Sequence, residues 1–231
     1  MPANKSVTFI LKYAPVLYLA LFAGCLGPPQ KTANQPEQPH FVEIKTKATY
    51  VHAPTGMQFP AKLAGFKRVK VLQYDRTGDT ISADYTLKSF GFEVAQLTVY
   101  IYPVEIDPVA GPITLEKHYD EVRALLFNLY TDARDLEDGE ITVGQPFGPQ
   151  RGLTFKFVHR PPDLLKSKLC YSKLYLFKHG PWFIKYRLTN LVNDDVDVAL
   201  KFGKFMQLLT WPQLTASEPK EPTVTPADSN F

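Results

Sequence analysis

The residues best suited to acid, base or metal chemistry in this sequence are five histidines, and their spacing does not predict a shared site. No two of them are four residues apart, and neither an HExxH nor a CxxC pattern occurs. Zinc sites with local motifs use such short spacings. His118 is followed by Asp120 and Glu121 on a predicted helix, where a solvated helix face explains all three side chains. We therefore expect no metal and no cofactor.

Nucleophilic catalysis has no local motif either. The GxSxG pattern and Gly-rich phosphate loops are absent. Cys170 and His179 fall on one predicted strand, about 30 Å apart at ~3.3 Å per residue, and face opposite sides, so they cannot form a catalytic pair. The acidic stretch Asp132–Glu140 lacks the spacing of a calcium loop. We expect a non-catalytic domain; the alternative is an enzyme, or an accessory subunit of one, whose active residues are dispersed along the chain.

Three predicted strands carry aromatic and basic side chains on one of their two faces. If these faces lie on the same side of a sheet, they form one binding surface, because Tyr, Lys and Arg give contact area at little entropic cost. The alternatives are that a helix or loop covers this surface, or that water does. The members of the predicted binding surface are Tyr100, Tyr102, Lys173, Tyr175, Lys185 and Arg187.

The strands that must position these residues are predicted from runs of alternating apolar and polar residues. The loop Lys178–Pro181 is so short that the two strands beside it must be antiparallel neighbours. Phe41–Ile44 is a further, short edge strand. An acidic turn is expected over 135–140. The main predicted strands are Val69–Tyr74, Ile81–Leu87, Ala95–Tyr102, Glu140–Val143, Leu153–Phe157, Leu169–Phe177 and Trp182–Thr189.

Two helices are predicted from apolar residues at spacings of three and four. The first runs from Thr114, its N-cap, to about Thr131. The second runs from Asp194 to Leu209, with Asn193 as its cap and two aspartates at its positive end. The apolar stripe expected on the second helix consists of Val196, Ala199, Leu200, Gly203, Met206 and Leu209.

The order of these elements, βββ-α-ββββ-α, predicts an α+β domain. We expect a predominantly antiparallel sheet of about six to seven strands with two main helices packed on it. This order resembles the PsbP-like fold, a sandwich around an antiparallel sheet, and that likeness implies no function. The stretches GMQFP, LAGFKR, ISADYTL, LTVYIYP and PWFIKYRLT resemble a family of uncharacterised bacterial proteins, which implies no activity.

The N-terminal segment has the organisation of a secretory signal. Lys5 and Lys12 precede the apolar run Tyr13–Phe22, and small residues follow it. The run is too short for a membrane span, which needs roughly 20 apolar residues. The sequence LFAGC, ending at Cys25, resembles the lipobox of bacterial lipoproteins. It departs from that motif at Phe22, where Leu is usual.

The lipobox resemblance implies that the signal is cut before Cys25 and that Cys25 carries the lipid. Two or more acyl chains, such as palmitate, make such attachment stable, since each buried CH₂ contributes ~0.8 kcal/mol. Leu26 is not the Asp that retains lipoproteins in the inner membrane, so the resemblance implies the outer membrane, facing the periplasm. The alternatives are an ordinary cleaved signal or an uncleaved anchor in which Cys25 is incidental.

The complete prediction is a lipid-anchored envelope protein whose domain binds an envelope partner or a ligand. The net charge of +3 argues against nucleic acid as that partner. With Cys25 lipidated, Cys170 has no disulfide partner. The predicted organisation is a signal peptide over 1–24, a lipidated Cys and flexible tether over 25–53, one α+β domain over 54–212 and a disordered tail over 213–231.

Overall fold

The computed structural model describes residues 41–130, 132–160 and 168–212. The predicted signal peptide, Cys25, most of the predicted tether and the predicted tail lie outside the described residues.

The described residues form a β-rich domain with two α-helices. A 3₁₀ turn at Val192–Asp194 precedes the second helix. The helices are α1 (Leu115–Leu129) and α2 (Asp195–Leu208). The strands are β1 (Val42–Glu43), β2 (Tyr50–Val51), β3 (Gln58–Phe59), β4 (Lys62–Leu63), β5 (Phe66–Gln73), β6 (Ile81–Ser89), β7 (Phe92–Pro103), β8 (Ile106–Asp107), β9 (Gly111–Pro112), β10 (Arg134–Gln145), β11 (Gly148–His159), β12 (Cys170–His179) and β13 (Trp182–Leu191).

The centre of the domain is a nine-stranded sheet in the order β1-β5-β6-β7-β13-β12-β11-β10, with β4 paired to β5. Every pairing in it is antiparallel. The long hairpins β6–β7, β10–β11 and β12–β13 account for most of it, and the β7–β13 pairing joins the two halves. The α+β class, the antiparallel sheet and the two helices are confirmed. The predicted count of six to seven strands was too low, because the sheet also includes the short strands β1 and β4, and the two residues of β4 are too few to show an alternating pattern.

Strand β10 corrects the acidic turn expected over 135–140. This segment is part of a twelve-residue strand that pairs with β11, with a bulge between Asp135 and Glu137. Its first seven residues are exposed, so its sequence lacks the alternation of a half-buried strand. A charged outermost strand resists pairing with other chains. Arg151 on β11 pairs with Glu140 at 2.6 Å and holds this edge from the inner side.

Residues 41–53 correct the predicted boundary of the tether. Strand β1 pairs with β5, as the predicted edge strand over Phe41–Ile44 required. The buried Arg68 guanidinium donates to the carbonyl oxygens of Thr46, at 3.1 Å, and of Ala48. His52 is fully buried and shares a 2.8 Å hydrogen bond with the Gly78 carbonyl. The folded domain thus begins before residue 54, because backbone carbonyls, which composition does not reveal, hold this segment in place.

The sheet separates two hydrophobic cores, one beneath each helix. Helix α1 buries Leu115, Tyr119, Val122 and Leu126, as its spacing predicted. The Thr114 hydroxyl accepts a hydrogen bond from the Lys117 amide at 3.2 Å, which confirms the predicted N-cap. On the opposite face, α2 packs against the sheet with aromatic side chains from both layers. Neither helix of the described residues has the length and apolarity that crossing a bilayer requires.

The packing face of α2 differs from the predicted stripe. Met206 and Leu209 of the predicted stripe are buried, but Val196 and Leu200 are 77% and 73% exposed. Phe202 and Phe205 are buried in their place. The 3₁₀ turn shifts the helix start, and Asp194 occupies the cap position without a side-chain hydrogen bond, so Asn193 is not the cap. Two phenylalanines fill more of the space above the sheet than the smaller residues of the predicted stripe would.

Candidate functional site

The structure brings four of the six residues of the predicted binding surface together on the α1 side of the sheet. Lys185 on β13 lies directly opposite Tyr100 on β7, and Arg187 lies opposite Thr98. Tyr102 lies opposite Phe183 on the same face. Directly opposed residues of antiparallel strands share a face, so these side chains are neighbours. Tyr100 and Lys185 are each only 3% exposed.

The other two residues, Lys173 and Tyr175, lie on the α2 side, so the predicted surface was wrong for β12. Lys173 is opposite Leu188 and Tyr175 is opposite Tyr186, both in the α2-side core. The Lys173 ammonium bonds to Asp195 at 2.7 Å. The Tyr175 ring packs 4.9 Å from Phe202. Alternation sorts the residues of one strand into two faces, but only the register shows which faces coincide across strands.

Helix α1 and the residue after it contribute two more side chains, His118 and Tyr130. We call the resulting group the α1-side cluster. Its members are Tyr100, Tyr102, His118, Tyr130, Lys185 and Arg187. The prediction that His118 lies on a solvated helix face was wrong, because this ring stacks on Phe183 at 4.3 Å.

Lys185 is the most perturbed cation of the α1-side cluster. Its ammonium lies 4.3 Å from the centre of the Tyr100 ring and 5.4 Å from that of Tyr102. Burial, together with the smaller effect of the nearby charge of Arg187, lowers the pKa of Lys185 to about 7. The aromatic faces stabilise the charged form. They do not replace the water that burial removes, so near neutral pH the amine exists in both forms.

His118 is held neutral beside this lysine. Burial, together with the smaller effect of the charge of Lys185, lowers the pKa of His118 to about 3. The Tyr102 hydroxyl and His118 Nε2 share a hydrogen bond of 2.8 Å. A ring that stays neutral at physiological pH adds no charge of its own to the cluster.

Arg187 is the second cation of the α1-side cluster, and Tyr130, the residue after α1, contacts it. Its guanidinium donates to the Tyr130 hydroxyl and stacks over the Tyr130 ring at 5.1 Å. Its Nε is buried and has no hydrogen-bond partner. Behind Tyr130, burial lowers the pKa of His159 to about 4, and the charge of Arg187 lowers it too. One donor of Arg187 therefore remains free for a further acceptor.

No carboxylate of the described residues pairs with Lys185 or Arg187. The acid on this part of the sheet face is Asp84, which is separated from Arg187 by Thr98 in the strand order. Asp84 is paired with Lys70 at 3.5 Å. Glu121 lies 3.6 Å from His118 of the cluster, but among the described residues the charges of Lys185 and Arg187 have no carboxylate partner of their own.

Access to the α1-side cluster is from its rim. Thr98, Tyr102, His118 and Arg187 are half-buried, while the floor is closed. A cleft of about 550 Å³ lies elsewhere, between the β2–β3 hairpin, the β10–β11 turn and the residues after α2. Its lining includes Trp211, Phe147 and Pro60 but no titratable side chain. Within the described part of the chain, no group of acidic, histidine or cysteine side chains could hold a metal ion.

Two members of the α1-side cluster were missed from the sequence, for different reasons. His118 lies on the packed side of α1, between Leu115 and Val122, and the charged residues after it obscured that position. Tyr130 follows the end of α1, where helical spacing no longer applies, and its ring contacts His159 at 4.3 Å. The predicted helix already ran to about Thr131, and the spacing of four from Leu126 would have placed Tyr130 on its packed face.

No protein-family model and no curated protein matches this chain. Eight chains of solved structures resemble its fold. One of them is a Pseudomonas aeruginosa protein of unknown function, described as a candidate regulator, with a TM-score of 0.45 and 11% identity. That likeness covers 65% of this chain and 99% of the other.

Proposed function

We propose that this chain is a lipid-anchored protein of the cell envelope whose domain binds a ligand that carries an anionic group, without catalysing a reaction. The ligand site is the α1-side cluster. The observation that carries the proposal is the presence of two adjacent cations, Lys185 and Arg187, against aromatic rings and with no paired carboxylate among the described residues.

An anion at this site would offset a cost that the empty domain bears. Burying a cation without a partner is unfavourable, and the lowered pKa of Lys185 is the sign of that cost. A carboxylate or phosphate oxygen placed between Lys185 and the free Nε of Arg187 would accept charge-assisted hydrogen bonds from both. The rings of Tyr100 and Tyr102 would contact the apolar part of the ligand.

The envelope location rests on the LFAGC motif at Cys25. The same proposal places the domain on the periplasmic side of the outer membrane, where an envelope protein could present the anionic group. The order of strands and helices supports a PsbP-like sandwich as the finer description of the fold, and that assignment is part of the proposal as well.

The anchor is tested by intact mass and membrane fractionation of the chain from its native host. We expect a lipid-sized mass gain and membrane recovery for wild type. The Cys25→Ser variant should have neither. Equal behaviour of the two proteins would show that Cys25 is incidental, and would remove the anchor from the proposal without affecting the ligand site.

The ligand site is tested by calorimetric titration with benzoate and with inorganic phosphate at pH 6.5. We expect at least one probe to bind wild type, and Lys185→Met to lose that binding. The matched control is Lys173→Met, which removes a lysine from the opposite face of the neighbouring strand and should bind as wild type does. Failure of both probes to bind wild type, or equal losses in the two variants, would contradict the proposal.

The alternative function, an enzyme, is favoured by one observation. A lysine with a pKa of about 7 offers a neutral amine at physiological pH, and such amines act as nucleophiles or bases. Enzymes commonly have a deep pocket around such a group, whereas neither Lys185 nor Arg187 lines either of the two clefts found among the described residues. The two functions are separated by treating the protein with pyridoxal and then with borohydride, which reduces any imine that pyridoxal has formed with a lysine. Selective labelling of Lys185 over exposed lysines such as Lys88 would favour the enzyme.

A further inference from the structure

A second feature, independent of the α1-side cluster, lies at the tip of the β6–β7 hairpin. The turn is Phe90-Gly91, between Ser89 and Phe92. Phe90 is 99% exposed and Phe92 is 74% exposed. Neither ring takes part in the aromatic contacts of the described residues, so the domain gains little burial from either of them.

The backbone of this turn is poorly suited to phenylalanine. Phe90 has φ +49° and Gly91 has φ +82°. Two-residue hairpin turns with both residues in the left-handed region favour Asn-Gly or Asp-Gly, because a bulky side chain is strained there. The strain at Phe90 is not repaid by any contact that its exposed ring makes within the domain. A contact that compensates for this strain would therefore be made with something outside the domain.

The surroundings of the tip are basic. Lys88 is exposed two residues before Phe90. Lys62 and Lys67 are exposed and directly opposed across β4 and β5, and Lys67 lies opposite Thr86 of β6. None of these three lysines forms an ion pair with another described residue. The acid facing Lys88 across the hairpin, Glu93, is hydrogen-bonded to Gln96.

From this combination we propose that the β6–β7 tip docks on an anionic lipid surface. Phe90 and Phe92 enter the interface between headgroups and acyl chains, and Lys62, Lys67 and Lys88 face the anionic headgroups. Aromatic rings are favoured at that interface, and clustered lysines are attracted to its negative potential. A protein pocket would also take an exposed aromatic ring, but three unpaired lysines beside the two rings favour a surface with repeated negative charge.

The test places a fluorescent reporter at the tip of the full chain. Phe90→Trp and Phe92→Trp variants are reconstituted in vesicles of phosphatidylcholine, with or without phosphatidylglycerol and bromine-labelled lipid. We expect blue-shifted emission and bromine quenching, relative to the wild-type background of Trp182 and Trp211, in the anionic vesicles. The control is Val109→Trp, which is 97% exposed on the β8–β9 loop and should show neither effect.

Two further variants keep the test independent of folding. Phe90→Asn, with the tryptophan at position 92, should fold well because Asn tolerates the left-handed region, yet it should lose quenching. Replacing Lys62, Lys67 and Lys88 by Gln should remove the preference for anionic vesicles. Tip fluorescence that is unaffected by vesicles, or quenched no more than that of Val109→Trp, would overturn the proposal. Tip fluorescence that responds to an added protein but not to vesicles would also overturn it.

Discussion

At the scale of single residues, the burial of Lys185 affects both the stability of the domain and the anion binding that we propose. Its pKa of about 7 lies far below that of an exposed lysine. Between the two values the unfolded chain binds a proton that the folded domain does not, so stability rises with pH across this window. Below pH 7 the domain carries the full cost of the buried charge. A bound anion would raise the pKa of Lys185 again.

We predict that Lys185→Met removes this pH dependence. The variant should be more stable than wild type at pH 7, and the difference should shrink toward pH 10 with a slope of up to about 1.4 kcal/mol per pH unit. Urea unfolding at pH 7, 8 and 9 measures it. Lys88→Met, at an exposed position, should keep the wild-type slope. A Lys185→Met protein with that same slope would show that Lys185 is not buried as a cation.

Alternation within β7 and β13 put four members of the α1-side cluster on one face, and the register agrees. Their role as a binding surface stays a prediction, and Tyr100 and Lys185 are covered, as one of the alternatives had it. Lys173 and Tyr175 were placed wrongly because the β12–β13 register depends on the whole hairpin and not on either strand alone. His118 was misplaced because neighbouring charges suggested water where the Phe183 ring lies. Alternation along one strand predicts which face of the sheet a side chain lies on, but only the pairing of strands shows which side chains are neighbours.

At the scale of elements, Asp195 fixes the start of α2 to the sheet. Its carboxylate accepts hydrogen bonds from Lys173 at 2.7 Å and from Lys156 at 3.1 Å. Burial alone would raise the pKa of Asp195, but the hydrogen bonds from Lys173 and Lys156 outweigh burial and lower it. The stability that these bonds provide is therefore present above the carboxyl's unfolded pKa and is lost as pH falls through the lower folded pKa.

We predict that Asp195→Asn destabilises the domain by about 1–2 kcal/mol at pH 7, since two charge-assisted bonds are lost at a half-buried site. The difference from wild type should shrink as pH falls through the lowered pKa of Asp195. Chemical unfolding at the two pH values measures it. Asp197→Asn, which removes an exposed pair with Lys201, should change stability little. Equal losses in the two variants would contradict a specific role of Asp195.

Gly152 on β11 is packed closely against the neighbouring strand β12. A methyl group there would collide with the Phe177 ring and lie 2.8 Å from the Leu176 carbonyl oxygen. We predict that Gly152→Ala costs about 1–3 kcal/mol, the usual range for overpacking. Gly144→Ala on β10 meets nothing within 4 Å and is the matched control. Thermal unfolding compares them, and a Gly152→Ala protein as stable as the control would mean that Phe177 can move aside.

The long elements that the sequence predicted correctly are those with one buried face. Half-buried strands such as β6 and β7, and α1 with its Thr114 cap, carry their structure in their own periodicity. Strand β10 is exposed along its first half and leaves no such signal. The face of α2 was mispredicted because its aromatic residues fit the space above Tyr175 and Tyr186, which the helix sequence alone does not describe.

At the scale of the whole molecule, one nine-stranded sheet is covered by a helix on each face, and the two faces differ in chemistry. The α2 side is an aromatic core that includes Tyr186, Phe202 and Trp211. The α1 side combines a second core with the α1-side cluster at its border. The class of fold followed from element order, whereas the β7–β13 pairing that creates this border is non-local and has no sequence signature.

Anion binding at Lys185 can be tested by the pH dependence of benzoate affinity, measured by calorimetry between pH 6 and 9. Carboxylates stay ionised over this range, so the protein's own groups set the dependence. We predict that wild-type affinity falls as pH rises above about 7, approaching tenfold per pH unit as Lys185 loses its proton. Lys185→Met should bind weakly at every pH. Affinity in wild type that does not change with pH, or that falls equally in Lys185→Met, would contradict anion binding at Lys185.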